Sequence, residues 1–144
     1  MVERTKGVRS ALRTADVTLA APVRYGQWSQ RWGRAAATRL LAEAPDVDAI
    51  ICGSDQIATG VVEAVRETGR QIPGDVAIAG YDNWAIFALE TDPPLTSVDM
   101  NLEALGAAAV RDLFGVIDGV PVGGGVRLHE CSLVVRGSTV PEVD

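Results

Sequence analysis

The sequence predicts an α/β domain built on a parallel sheet, and three observations lead there. Short apolar runs occur at 47–52 (VDAIIC) and 76–80 (VAIAG), the length of strands rather than helices. Stretches with apolar residues at helical spacing lie between and around them, and alternating helix and strand implies parallel pairing through right-handed crossovers. The runs are apolar nearly throughout, as expected of strands covered on both faces.

Bulk figures fit one such domain. The chain has 144 residues, 47% hydrophobic and 22% charged, a globular rather than a disordered composition. No apolar run approaches the ~20 residues that span a bilayer, and residues 1–14 are too polar for a secretory leader. A cytoplasmic protein without a membrane role is the expectation. The net charge is −6 and Lys6 is the single lysine, so the segment offers no basic footprint for nucleic acid. Cys52 and Cys131 sit in apolar contexts and read as buried free thiols, since no disulfide framework or CxxC is present.

The elements follow in order. Residues 3–15 form a helix with Val8, Ala11, Leu12 and Ala15 on one side. Arg4 and Lys6 lie at its start, where cations oppose the helix dipole, so Arg4 invites a second explanation. Residues 16–23 (DVTLAAPV) read as a strand, and an aromatic loop follows. Ser29 caps a helix that Pro45 ends, with Trp32, Ala36, Ala37, Leu40, Leu41 and Ala44 along its stripe. After the strand 47–52, Ser54 or Asp55 caps a helix over 56–68, striped by Ile57, Ala58, Val61, Val62 and Val65. Gly69 closes it, and a Pro-Gly turn leads into 76–80. Residues 84–90 allow a helical turn or two before Pro93 and Pro94 break it. Residues 95–98 are extended, 102–118 form a helix, and 126–136 hold one or two strands. A helix with no strand before it suggests a chain cut from a longer protein.

Catalytic signatures are missing: no G-x-S-x-G elbow, no P-loop, no strand-linked G-x-G-x-x-G. This argues against an enzyme and implies no cofactor. His129 is the only histidine and has no companions with which to hold a metal. Six of seven aromatics, however, fall in two clusters, Tyr25, Trp28, Trp32 and Tyr81, Trp84, Phe87, each after a predicted strand. Open α/β sheets bind ligands beyond the carboxyl ends of their strands. Ser54 and Asp55 lie at a third such end and Asp82 stands beside Tyr81 and Asn83, and aromatic faces with a few aimed polar groups suit a polyhydroxylated or flat polar ligand. Trp32 fits the core stripe of its helix. Trp28 lies outside that stripe, with contact and surface roles both open. Asp55 reads as helix cap or ligand group, Asp82 as turn acid or ligand group, and Trp84 to Leu89 as core or, preferably, a subunit contact.

At this point the residues resemble a family. GSDQIATGVVEAVRETGRQIPGDVAIAGYDNW, PPLTSVDMNLEALGAAAVRDLFGVIDG and LVVRGST are similar to the effector-binding core of the LacI/GalR transcription regulators. The resemblance implies a periplasmic-binding-protein-like (type I) fold, incomplete here: 1–92 as the C-terminal lobe, 93–125 as a crossover strand and helix of the N-terminal lobe, and 126–144 as return strands and tail. It implies a small-molecule effector, a sugar by preference, and a homodimer through the helix 56–68 and the segment 84–90. Operator DNA would be bound only through an N-terminal headpiece that these residues do not include. By position it assigns effector contacts to Arg4, Trp28, Ser54, Asp55 and Asp82. Ser54 and Met100 stand where family members often place other polar residues. A stand-alone sugar-binding module without a DNA role is the alternative, separable by what precedes Met1 in the gene.

Overall fold

The computed structural model describes residues 2–121 and 123–141. In chain order it contains α1 (Val2–Thr14), α2 (Gln30–Glu43), β1 (Ala49–Ile51), α3 (Asp55–Glu67), β2 (Ala77–Tyr81), α4 (Ala85–Ala88), β3 (Thr96–Asp99), α5 (Leu102–Ile117) and β4 (Ser132–Val134). One sheet runs in the order β1-β2-β3-β4, parallel from β1 to β3 and antiparallel at β4. The α/β fold class and its mostly parallel sheet are therefore as expected.

The core lies between the sheet and the α2–α3 pair. Ile57, Ala58, Val61, Val62 and Val65 of α3 pack with Ala37 and Leu41 of α2 and with Val76 and Ile78 of the sheet segment, all buried. Each of these valine, leucine and isoleucine side chains contributes about 1.5–3 kcal/mol by leaving water. Two glycines let the helices touch. A Cβ on Gly33 would lie 2.2 Å from the Ile57 carbonyl oxygen, and one on Gly60 2.0 Å from that of Gln30. Ser29 and Ser54 cap α2 and α3, accepting from the Trp32 and Ile57 N–H groups at 3.2 Å each. Trp32 packs against this core as its spacing predicts.

Several expectations are corrected. Residues 16–23 form no strand; Val17 and Leu19 are exposed, and the segment joins no ladder. Its residues have the apolar character of a strand but no neighbour to pair with, and Pro22 removes one donor. β1 is not covered on both faces: it is a sheet edge, and Ile51 is exposed. The apolar stripe of α3 is buried in the core. Cys52 is buried but Cys131 is exposed, because it follows the solvent-exposed run holding Val126 and Leu128. Only 132–134 of the expected 126–136 strand region pairs. The sheet also continues past residue 92: Leu95, Thr96 and Ser97 are fully buried beside β2.

Candidate ligand site at the strand ends

The carboxyl ends of β1, β2 and β3 converge on one cluster. Arg4 reaches it from α1, and its guanidinium lies 3.7 Å from the centre of the Tyr81 ring and 5.5 Å from that of Trp28. One terminal nitrogen donates to the Gly53 carbonyl at 2.6 Å. The other meets Asp82 Oδ1 and Met100 Sδ, both at 3.4 Å. A guanidinium is planar and always charged, so it can stack on aromatic faces while its edge donates hydrogen bonds. Trp28 remains 46% exposed, which leaves nearly half of its surface free for a further contact. Tyr25 borders the site through a 3.3 Å contact with Thr5.

Asp82 sits just past β2 at φ 107°, followed by Asn83 at φ 54°. Non-glycine residues rarely adopt positive φ, so the surrounding contacts must hold the turn. Asp82 N–H donates to the Val98 carbonyl at 3.0 Å. Asn83 N–H donates to Ser97 Oγ at 3.1 Å, and Trp84 N–H to Asp55 Oδ2 at 3.0 Å. Partial burial raises the Asp82 carboxyl above the usual range, with the Arg4 charge pulling the other way. Burial likewise raises the Tyr81 phenol.

Of the five sequence-assigned residues, Arg4, Trp28 and Asp82 are brought together, while Ser54 and Asp55 lie beneath them. Both are 1% exposed. The Ser54 hydroxyl is the α3 cap. The Asp55 carboxylate accepts from Ser97 Oγ at 2.6 Å as well as from Trp84 N–H. Burial raises the Asp55 carboxyl, and those donors oppose the rise. Asp55 thus acts as an internal anion around which the 81–84 turn is wrapped. Gly80 makes room for it, since a Cβ there would stand 2.1 Å from Asp55 Oδ1.

Two polar partners escaped the reading of the sequence. Ser97 lies in the PPLTSV run, but beside Thr96 nothing in the sequence marks which of the two β3 hydroxyls turns inward to Asp55. Arg136 does lie in the LVVRGST run and could have been found there. It donates to Leu95 O at 2.7 Å and to Asn83 Oδ1 at 2.8 Å. Among the described residues, no group of three or more His, Cys, Asp or Glu side chains could hold a metal ion. No described helix is long and apolar enough to cross a membrane.

Residues 1–139 match the family described as periplasmic binding protein-like domain. The chain belongs to that family. Its relatives within it are regulators of the LacI type. HTH-type transcriptional regulator MalR of Streptomyces coelicolor is 39% identical over 117 residues, which is 81% of this chain and 33% of MalR. The solved transcriptional regulator CelR–cellobiose complex is 39% identical with a TM-score of 0.83, covering 95% of this chain and 42% of that one. The lac repressor dimer bound to operator and the anti-inducer ONPF is 29% identical with a TM-score of 0.82, covering 94% and 40%. The chain thus spans less than half the length of each of these three. Those relatives are transcription regulators and not enzymes, which agrees with the missing catalytic signatures. The LacI-type, periplasmic-binding-protein-like effector core is the architecture the motifs pointed to.

Proposed function

We propose that this chain is the effector-binding part of a LacI-type transcription regulator and that its effector is a carbohydrate. The observation that carries this reading is the Arg4–Asp82 pair beside the Tyr81 and Trp28 rings at the strand ends. The paired charges leave the site near neutral. A carboxylate accepts from one sugar hydroxyl while a guanidinium donates to its neighbour. An apolar sugar face would lie on the exposed Trp28 indole. Ser54 and Asp55 contribute from below, Asp55 by holding the turn that presents Asp82. The similar regulator CelR was solved in complex with cellobiose, a disaccharide, so cellobiose is the first probe.

In this reading, 1–92 together with β3 is the C-terminal lobe, the chain crosses to the N-terminal lobe through α5 and the stretch up to 125, and 126–144 returns. Ligand closes the lobes on one another, and the closed arrangement alters how a headpiece outside these residues meets operator DNA. Coupling of this sort is about 1–3 kcal/mol. The whole regulator works in the cytoplasm as a homodimer. Trp84, Ile86 and Leu89, exposed beside α4, supply part of the subunit contact.

The test is isothermal calorimetry of the full regulator with cellobiose, maltose, glucose, sugar phosphates and nucleobases, followed by operator binding with and without the best ligand. Saturable binding of a neutral sugar, weakened by Trp28→Ala, with a shift in operator affinity is expected. Binding confined to nucleobases or phosphorylated compounds overturns the carbohydrate assignment. Sugar binding that leaves operator affinity unchanged overturns the regulatory one.

A further inference from the structure

We infer that Asn83 is the positioning residue of this site: its side-chain amide clamps the Asp82 turn to β3 and to the segment after β4, and so sets where the Asp82 carboxylate points. The inference rests on the ligand role proposed for Asp82.

Asn83 is bound on three sides. Its N–H donates to Ser97 Oγ, its Nδ2 donates to Asp99 Oδ2 at 2.9 Å, and its Oδ1 accepts from Arg136 at 2.8 Å. Asp99 ends β3 and also accepts from Asn101 N–H at 2.6 Å. Arg136 lies two residues past β4 and is itself fixed by the Leu95 carbonyl. The amide therefore joins an acid on one strand to a cation beyond the next. An amide offers a donor and an acceptor on two separate atoms of one short planar group, and asparagine also tolerates the left-handed backbone it adopts here. Aspartate could keep Arg136 but would set a second carboxylate against Asp99. Alanine would keep neither bond and would resist the positive φ. Backbone bonds to Val98 O, Ser97 Oγ and Asp55 Oδ2 hold the turn from beneath, and the Asn83 amide ties it sideways to Asp99 and Arg136, which sets the direction of the adjacent Asp82 side chain over Arg4.

The experiment uses four forms of the chain: wild type, Asn83→Gly, Asn83→Asp and Asn83→Asp with Asp99→Asn. Glycine keeps the backbone conformation and loses the clamp. The double substitution exchanges donor and acceptor, so that residue 99 donates to residue 83. Two quantities are read: cellobiose affinity by calorimetry, and the Asp82 carboxyl titration by ¹³C NMR, which needs no ligand. Thermal melts establish that each form is folded. Expected are affinity losses of about tenfold in both single variants, the size seen when the support behind a binding group is removed. The double variant recovers to within about threefold. The Asp82 titration moves in Asn83→Gly, which adds no charge beside it. An unmoved Asp82 titration in folded Asn83→Gly, or no recovery of cellobiose affinity in the double variant, overturns the inference. If wild type binds no sugar while the titration behaves as expected, the carbohydrate reading fails and the positioning role of Asn83 stands.

Discussion

Gly80→Ala tests whether the site is built around a buried carboxylate. Gly80 lies in the middle of the sheet, paired with Ser97, and is buried. A methyl group there would meet Asp55 Oδ1 at 2.1 Å and Cγ at 3.2 Å. Either β2 moves, breaking register with strands on both sides, or the carboxylate swings away. Overpacking of a core costs about 1–3 kcal/mol. If Asp55 leaves, it gives up bonds from Ser97 Oγ at 2.6 Å and Trp84 N–H at 3.0 Å, and hydrogen bonds to a charged group contribute about 1.5–3 kcal/mol each. The swing therefore costs about 3–6 kcal/mol and the strand shift is the cheaper response, so the loss should fall near 2–3 kcal/mol. For a domain stable by about 5–15 kcal/mol that is a large fraction. Urea unfolding followed by circular dichroism measures it as a fall in midpoint at constant slope. Gly106→Ala is the control: nothing lies within 4 Å of that position in α5, and relief of a helical glycine should stabilise by about 0.5–1 kcal/mol. In an Asp55→Ala background the clash is gone, so Gly80→Ala should cost under about 1 kcal/mol and the two changes should couple by more than about 1 kcal/mol. A Gly80→Ala loss below about 1 kcal/mol, or the same loss in both backgrounds, would refute the reasoning.

Three further outcomes are expected. Asp82→Asn should raise the melting temperature at pH 7 and abolish effector binding. The folded carboxyl is raised above its ordinary value, so ionising it weakens folding as pH rises through the window between the ordinary and the raised value, and the benefit of the amide should vanish below about pH 4; a variant less stable than wild type at pH 7 contradicts this. Trp28→Ala should leave the melting temperature within a few degrees, since the side chain is already 46% exposed, while cellobiose binding falls about tenfold; a loss of stability without loss of binding reverses the assignment. Thiol titration at pH 8 should count one cysteine in the native chain and two in denaturant, because burial pushes the Cys52 thiol up to about 12 while Cys131 is exposed. Two reactive thiols in the folded chain would contradict the burial of Cys52.

What the sequence disclosed and what it hid divide along a physical line. α2, α3 and the strand β2 were legible because their stripes and caps are local: the residues that define each element are also those that bury its face. The Arg4–Trp28–Asp82 grouping was reached through strand-end logic and resemblance, and neither depends on long-range packing. Residues 16–23 show the opposite case. A strand is defined by its neighbour, so apolar pattern alone could not tell a paired strand from an extended segment with no ladder beside it. The burial of Ser54 and Asp55 was hidden for a related reason. A serine and an acid at a helix start look the same whether they face solvent or a glycine on the next strand. What distinguishes them is Gly80, far from Asp55 in sequence and on another element, whose missing Cβ is the space the carboxylate occupies. Ser97, Gly80 and Asp55 form a single device contributed by three elements. Its product is the turn at 82–84, bent through positive φ so that one carboxylate points down the sheet's end towards Arg4 while the other stays buried beneath it. Two acids that look equivalent in sequence are thereby given different surroundings: Asp55 is enclosed by the turn it shapes, and Asp82 stays partly accessible beside Arg4.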